Sequence, residues 1–329
     1  HPNRLHLIDL SSREVINECE LPSRMLPGVI QMSPDKTIAY VLYNHWEDII
    51  GVKVDTCEQV FHAKQSSGNE RVKSIASLAV SPDGKELYTV QNPVKLNKDH
   101  YQVQPTRFTV YHTDDGMNAK PVRTFDAPRQ ISTMATGDNG QVYMAGPNLY
   151  RLNPQTGELA IEQPHRHWQR PNFIQPDSLA VWPIGSQSNE FVLPYTTARF
   201  QEGSQDLATA DWLWGYSRVD LKTGESRQVE FAPLEFIVFS FISDPKDSNT
   251  LYGVYTQLSK FDVEKQEIVK SVDLDHTHYC INISSDGETI YVGGAADHIT
   301  IYNKELEKQG VITLPGDMSA ATVQVFSRS

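Results

Sequence analysis

The chain has 329 residues, a formal net charge of -12 and a hydrophobic fraction of 39%. Nucleic acid is excluded as the expected ligand, because binding a phosphate backbone requires clustered Lys and Arg. No apolar run approaches the ~20 residues of a membrane-spanning helix, and the length suits one large domain over 1–329.

A first turn signature recurs along the chain with a period of about 41 residues. An Asp stands five positions ahead of a Tyr on the following strand, and the fourth repeat keeps only the aromatic residue, Phe191. In SPDG (81–84) the Pro, Asp and Gly are residues that reverse a chain tightly. The five complete pairs are Asp35 and Tyr40, Asp83 and Tyr88, Asp138 and Tyr143, Asp247 and Tyr252, and Asp286 and Tyr291.

A second signature is an alternating strand that ends in Asp, Asn or His before a Thr-Gly-like turn, as in VDLKTG (219–224). The segments between the two signatures are rich in β-branched and aromatic residues, and none has a sustained helical period. The second signature occurs seven times, at Asp9, Asp55, His112, Asn153, Asp220, Asp262 and Asn303.

Four short strands in each of seven periods predict an all-β, seven-bladed β-propeller with four-stranded antiparallel blades. Segments 4–10 and 15–21 are predicted as outer strands and 320–326 as an innermost strand, so the last blade is closed by N- and C-terminal strands. We expect the remaining strand of that blade just upstream of His1, within about ten further residues. A stack of hairpins without radial closure is the alternative.

Three segments are longer than the repeat period allows: 91–107, 164–176 and 195–215. They are predicted to lie as long loops on the side opposite both turn signatures. These segments carry Tyr, Trp, His and Arg side chains, which are common interface anchors. Arg107 and Trp168 are candidates there, and Trp46 lies in a shorter loop of the same side, NHWED (44–48). The alternative for each aromatic residue is that it pins its own loop to the blade.

Linear motifs for chemistry are missing from the sequence: there is no haem-attachment motif, nucleophile elbow, phosphate-binding loop or H-E-x-x-H. We therefore assign no catalytic residue. His276 and His278 form an H-x-H pair, but spacing identifies no third ligand, and no metal is assigned. The three cysteines allow at most one disulfide, and Cys280 on a predicted innermost strand is expected to be a buried, inert thiol.

Six segments resemble the β subunit of quinohemoprotein amine dehydrogenase, a YVTN-like seven-bladed propeller, and the similarity extends over essentially the whole chain. Most of them map to the side that carries the longer loops. The segments are VQPTR (103–107), APRQ (127–130), QPD (175–177), YTTAR (195–199), LDHTHY (274–279) and LPGDMS (314–319).

The resemblance implies a non-catalytic subunit of a periplasmic complex that oxidises primary amines to aldehydes. A haem c-bearing α subunit and a γ subunit with cysteine tryptophylquinone would be its partners, so this chain would hold no cofactor. Tyr195, Arg199, His276 and Tyr279 would line the shared substrate cavity. The alternatives are an independent propeller enzyme, such as a lactonase-like hydrolase or isomerase, and an interaction scaffold.

Overall fold

The computed structural model describes residues 3–22, 25, 28–74, 76–178, 189–319 and 321–327. Strands account for nearly all the regular structure of these residues, and a short 3-10 helix, Thr113–Asn118, follows one of them. No helix in the described part of the chain is long and apolar enough to cross a membrane.

The strands form seven sheets within the described residues. A two-stranded sheet, the N-terminal hairpin, contains β1 (Arg4–Asp9) and β2 (Glu14–Glu20). Blade one contains β3 (Ile30–Met32), β4 (Ile38–Tyr43), β5 (Asp48–Lys53) and β6 (Gln59–Lys64). Blade two contains β7 (Glu70–Lys73), β8 (Leu78–Val80), β9 (Glu86–Leu96), β10 (Tyr101–Val103), β11 (Arg107–His112) and β12 (Arg123–Asp126).

The second half of the chain adds four sheets of four strands each. Blade three contains β13 (Thr133–Thr136), β14 (Val142–Ala145), β15 (Leu149–Leu152) and β16 (Leu159–Gln163). Blade four contains β17 (Asp177–Ser178), β18 (Glu190–Arg199), β19 (Asp211–Asp220) and β20 (Ser226–Pro233). Blade five contains β21 (Val238–Ser243), β22 (Thr250–Tyr255), β23 (Gln257–Asp262) and β24 (Glu267–Asp273), and blade six β25 (Cys280–Ile283), β26 (Thr289–Gly293), β27 (His298–Asn303) and β28 (Lys308–Thr313).

Neighbouring sheets pack as the blades of a propeller. Each blade is antiparallel, and in blade two the four strands of the repeat are β8, β9, β11 and β12. The first strands of neighbouring blades contact each other, as β3 contacts β8, β8 contacts β13 and β21 contacts β25. The apolar clusters lie between blades: Tyr88 and Phe108 of blade two pack with Met134 and Met144 of blade three. The predicted all-β propeller with four-stranded antiparallel blades is therefore confirmed.

The first turn signature joins the first and second strands of a blade, as predicted. In blade two the Asp83 carboxylate accepts hydrogen bonds from the Ser81 hydroxyl (2.7 Å) and the Lys85 backbone N–H (3.1 Å), and the Ser81 hydroxyl accepts one from the Glu86 N–H (2.9 Å). Gly84 has a φ of 73°, which a residue without Cβ adopts without strain. This local network lets the signature specify the turn from sequence alone.

The second signature joins the third and fourth strands, again as predicted. Asp220 Oδ1 accepts hydrogen bonds from the backbone N–H groups of Lys222 (2.8 Å) and Thr223 (3.0 Å). Gly224 follows with a φ of 79°. Both signatures therefore lie at the same end of the blades, which leaves the second-to-third connections and the blade crossovers at the other end.

The two chain ends differ from the prediction of a seventh four-stranded blade. Predicted strands 4–10 and 15–21 are confirmed as β1 and β2, but 321–327 forms no strand, and Ala320 lies outside the described residues. The Val323 N–H instead donates to Cys280 Sγ (3.3 Å), and the Asn282 side chain donates to the Val323 carbonyl (2.7 Å). Within the described residues the structure has six blades of four or more strands and one two-stranded sheet.

The N-terminal hairpin has packing partners on two sides. Ile8 and Val15 join an apolar cluster of blade six, whereas Cys19 and Leu21 join a cluster of blade one. A disulfide links Cys19 to Cys57 in the last turn of blade one. Three cysteines allow at most one disulfide, and the structure pairs Cys19 with Cys57 and leaves Cys280 free.

Candidate functional site

Blade two extends beyond its neighbours on the side opposite the turn signatures. The end of β9 pairs with β7 and with β10, so much of the segment predicted as a long loop, 91–107, is strand. Tyr101 and Val103 lie on β10 and are 75% and 62% exposed. The extension therefore presents apolar side chains to solvent.

Arg107 holds the base of this extension. Its Nη2 pairs with Glu70 Oε1 of β7 at 2.7 Å, and its Nε donates to Gln91 Oε1 of β9 at the same distance. The guanidinium thus joins three strands through charge-assisted hydrogen bonds. About a third of the Arg107 side chain is exposed.

Blade four is extended in the same direction. β18 and β19 are ten residues each and pair along their full length up to Arg199 and Asp211, so the ends of the predicted loop 195–215 are also strand. Arg199 Nη2 contacts Asp211 Oδ2 at 3.0 Å, with both side chains about half exposed. Trp212 is 42% exposed at the same end.

Tyr195 is buried in blade four. Its hydroxyl donates to Glu230 Oε1 (2.9 Å), and its ring contacts His165 and Trp168 with centroid separations of 5.5 and 5.3 Å. Burial and the neighbouring Glu230 carboxylate raise the pKa of Tyr195 far above its ordinary value. Arg170 closes the network by pairing with Glu230 (2.6 Å). Tyr195 therefore fastens loop 164–176 to the blade, and half-buried Trp168 forms the outer layer of this contact.

Trp46 lies in the connection between β4 and β5, where Asn44, His45 and Trp46 all have positive φ values of 53–65°. A Cβ at Gly28 would stand 2.5 Å from Trp46 Cδ1, so the indole needs a glycine below it. Trp46 is half-buried and packs against the core shared by blades one and two. The indole therefore holds its connection against the segment that precedes β3.

Tyr279 lies in the crossover from blade five to blade six, beside the two predicted histidines. Its ring contacts Phe239 edge-on with centroids 4.9 Å apart and Tyr255 at 5.8 Å. The Ser240 hydroxyl donates to the Tyr279 carbonyl (2.7 Å). These contacts fix the end of the crossover on blade five.

The same crossover contributes three residues to a cluster of four side chains whose types can ligate a metal. Asp275, His276 and His278 belong to the crossover, and His298 is the first residue of β27. One ligand atom from each lies within 4.8 Å of the other three. His278 is fully buried, whereas the side chains of His276 and Asp275 are 32% and 52% exposed. We name these residues the histidine cluster.

The nitrogen atoms of the cluster surround the Asp275 carboxylate. Asp275 Oδ1 lies 3.7 Å from His276 Nε2 and 3.4 Å from His278 Nε2, and Asp275 Oδ2 lies 3.7 Å from His298 Nε2. His276 Nε2 and His298 Nε2 are 3.3 Å apart. His278 Nδ1 is buried and has no hydrogen-bond partner among the described residues.

Burial and charge act on the cluster in opposite senses. Desolvation lowers the pKa of His278, with a further contribution from His276, so its neutral form is favoured. Partial desolvation acts to raise the pKa of Asp275, but the hydrogen bond from His278 and the three imidazoles outweigh it, and the pKa is lowered. The histidine cluster thus contains an ionised carboxylate, Asp275, beside a neutral buried imidazole, His278, at neutral pH.

The predicted site residues fall into separate groups. Tyr195, Arg199 and Trp168 lie in or against blade four, and His276 and Tyr279 lie at the junction of blades five and six. Trp46 belongs to blade one and Arg107 to blade two. Sequence spacing found two members of the histidine cluster and missed His298, because nearly twenty residues and two strands separate it from the H-x-H pair.

Comparison with known proteins defines the class of fold. No protein-family model and no curated protein matches the chain. Among solved structures, a functionally unknown protein from Desulfotomaculum acetoxidans DSM 771 has a TM-score of 0.58 at 11% identity, with 97% of this chain and 94% of that chain covered. The WD40 repeats of RRP9 give 0.57 at 10% identity, with 92% and 85% covered.

A third solved structure, the dihydro-heme d1 dehydrogenase NirN in complex with DHE, has a TM-score of 0.53 at 13% identity. The match covers 95% of this chain and 71% of that chain. These structural similarities identify the chain as a β-propeller protein. At such low sequence identities they define the fold alone.

Proposed function

We propose that this chain is the non-catalytic propeller subunit of a periplasmic quinohemoprotein amine dehydrogenase. One observation carries the proposal: the six segments that resemble that family are spread over the chain, yet topology puts all of them on the side opposite the turn signatures. Two of them are in direct contact, because Arg129 Nη2 donates to the Gln104 carbonyl at 2.6 Å. The segments that resemble the family therefore share one side of the propeller.

The role of the chain in this proposal is docking and enclosure. The extensions of blades two and four carry exposed Tyr101, Val103 and Trp212, which suit a buried contact with the quinone-bearing γ subunit. Rigid strand pairs beneath these side chains hold them in place and exclude water from an adjoining cavity. Cysteine tryptophylquinone and haem c would belong to the partner subunits and would supply the oxidation and the electron transfer.

The predicted cavity residues would take different parts in such a surface. Arg199, His276 and Tyr279 retain exposed area and would face the cavity, whereas buried Tyr195 would position Trp168 and loop 164–176. The Cys19–Cys57 disulfide supports a periplasmic location, because disulfides persist in oxidising compartments and are rare in the cytosol.

The proposal also includes a seventh blade that closes the ring. β1 and β2 share the register shift found between the third and fourth strands of other blades, and Asp9 caps their turn through Ser11 N–H (2.7 Å). Arg13 Nη1 donates to the Gln309 carbonyl of blade six (2.9 Å), and Asn17 Nδ2 donates to the Val54 carbonyl of blade one (2.7 Å). These bonds support the hairpin as the outer half of that blade. The bonds of Val323 to Cys280 and Asn282 support the C-terminal segment as its inner part.

Affinity purification of the tagged full chain from its native source tests the function. We expect a haem c-bearing subunit and a small quinone-bearing subunit to co-purify, with primary-amine-dependent dye reduction by the complex and none by the isolated chain. Tyr101→Ser combined with Trp212→Ser should release the small subunit, whereas Ile161→Ser and Val269→Ser, which alter exposed apolar residues on the outer strands of other blades, should not.

Two outcomes would replace the proposal. Turnover of substrate by the isolated chain, unaffected by partners, would identify an independent propeller enzyme. Co-purification with proteins that carry neither haem nor quinone would identify an interaction scaffold.

A further inference from the structure

The spacing of the histidine cluster matches a known coordination geometry. A tetrahedral zinc ion with bonds of about 2.0–2.1 Å to nitrogen or oxygen holds its ligand atoms about 3.3–3.4 Å apart. His276 Nε2 and His298 Nε2 are separated by 3.3 Å, and the three distances from Asp275 oxygens to imidazole Nε2 atoms are 3.4, 3.7 and 3.7 Å. With Asp275 Oδ1 as the carboxylate ligand atom, three of the six edges of a tetrahedron are thus present within a few tenths of an ångström, and His298 Nε2 lies beside the second carboxylate oxygen.

Hydrogen bonds on the far side of two rings direct their lone pairs inward. His276 Nδ1 lies 2.9 Å from the Thr277 carbonyl, which can only accept, so Nδ1 carries the proton and Nε2 of the neutral ring carries the lone pair. His298 Nδ1 lies 3.3 Å from Asp297 Oδ1 and is oriented in the same way. A histidine that ligates a metal commonly donates its other N–H to a carbonyl or carboxylate in this manner.

The cluster brings its nitrogen and oxygen atoms together without a basic side chain between them. His276 Nε2 and His298 Nε2 face each other at 3.3 Å, and the Asp275 carboxylate lies beside them. No lysine or arginine is paired with Asp275 among the described residues. A divalent cation between the four ligand atoms would be held by the carboxylate and by imidazole nitrogens that carry no proton.

We propose that the histidine cluster is a zinc site, with His276, His278, His298 and Asp275 as its four ligands. Three imidazoles and one carboxylate favour zinc over calcium or magnesium, which prefer sets made entirely of oxygen ligands. Four protein ligands fill a tetrahedral shell, so the ion is structural: it ties the crossover from blade five to the start of β27.

This site is independent of the amine dehydrogenase proposal, because all of its ligands come from this chain. Its effect on the surface is local: Tyr279 follows His278 directly, and the ion fixes the crossover that carries both. The buried position of His278 makes it the anchor of the site, and exposed Asp275 leaves one side open for the metal to enter.

Titration of the purified full chain, stripped with EDTA and free of partners, with ZnCl2 in a calorimeter tests the site. We expect one equivalent of zinc to bind, and Co²⁺ to give the intense visible absorption of a four-coordinate ion. His276→Gln and His298→Gln should each weaken zinc binding by about 100-fold or more. The matched control is His167→Gln, which alters an exposed histidine outside the cluster and should bind as the unmodified chain does.

Zinc should also raise the thermal unfolding midpoint of the unmodified chain and of the His167 variant but not of the two cluster variants. Near-ultraviolet circular dichroism establishes that each variant is folded before titration. Absence of stoichiometric binding to the unmodified chain would overturn the inference. So would binding that folded His276→Gln and His298→Gln retain at full affinity, or a six-coordinate Co²⁺ spectrum.

Discussion

We expect the buried side chain of His165 to make the stability of this protein depend on pH. The side chain is buried in blade four between two hydroxyl groups, with Nδ1 2.5 Å from Ser178 Oγ and Nε2 2.6 Å from Ser217 Oγ. A neutral imidazole can accept from one hydroxyl and donate to the other, whereas an imidazolium would have to remain charged without water. Desolvation therefore lowers its pKa from 6.5 to about 4.

The sign of the effect follows from the two pKa values. The unfolded chain binds a proton at His165 below pH about 6.5 and the folded chain only near pH 4, so the contribution of His165 to stability is complete above pH 6.5 and is lost as pH falls towards 4. The lowered pKa corresponds to about 3 kcal/mol in total, of which about 2 kcal/mol is lost between pH 8 and pH 5.

Urea unfolding of the unmodified chain and of His165→Gln, followed by fluorescence at pH 8 and pH 5, measures this contribution. The amide of glutamine also accepts and donates hydrogen bonds but does not titrate, so the stability difference between the two proteins should shrink by about 2 kcal/mol at pH 5. His167→Gln, at an exposed position, should show no such change. A stability difference for His165→Gln that is the same at both pH values would refute the assignment of a neutral buried imidazole.

Two further predictions concern packing and the disulfide. Replacing Cys19 and Cys57 by Ala removes a link across 38 residues and should lower the free energy of unfolding by about 4 kcal/mol in a chain-entropy estimate, measured by urea unfolding; an unchanged midpoint would contradict it. Gly215→Ala would place a Cβ 2.3 Å from the Tyr195 ring and should destabilise the protein by about 1–3 kcal/mol or more in thermal unfolding. Gly316→Ala, which meets no atom within 4 Å, should leave it unchanged, and equal effects of the two would disprove the steric argument.

Local sequence specified the blades because their turns are held by short-range bonds. The Asp83 and Asp220 side chains bond to backbone groups two or three residues away, so the positions of these turns follow from the chain itself. The same reasoning correctly placed Cys280 on a buried strand, where burial raises its pKa to about 11. The prediction of loops over 91–107 and 195–215 was wrong in part, because strands extend into both segments. The sequence pattern there did not distinguish an extended strand pair from a long loop.

The sequence by itself therefore determined the antiparallel four-stranded unit, its repetition, and the side on which the longer segments lie. Only the tertiary structure decided which residues meet there. Arg107 reaches Glu70 from a strand 37 residues away, and His298 joins His276 across two strands of blade six. Contacts between strands depend on register and on the packing of successive blades. A local sequence pattern specifies neither, so it does not predict which distant side chains come into contact.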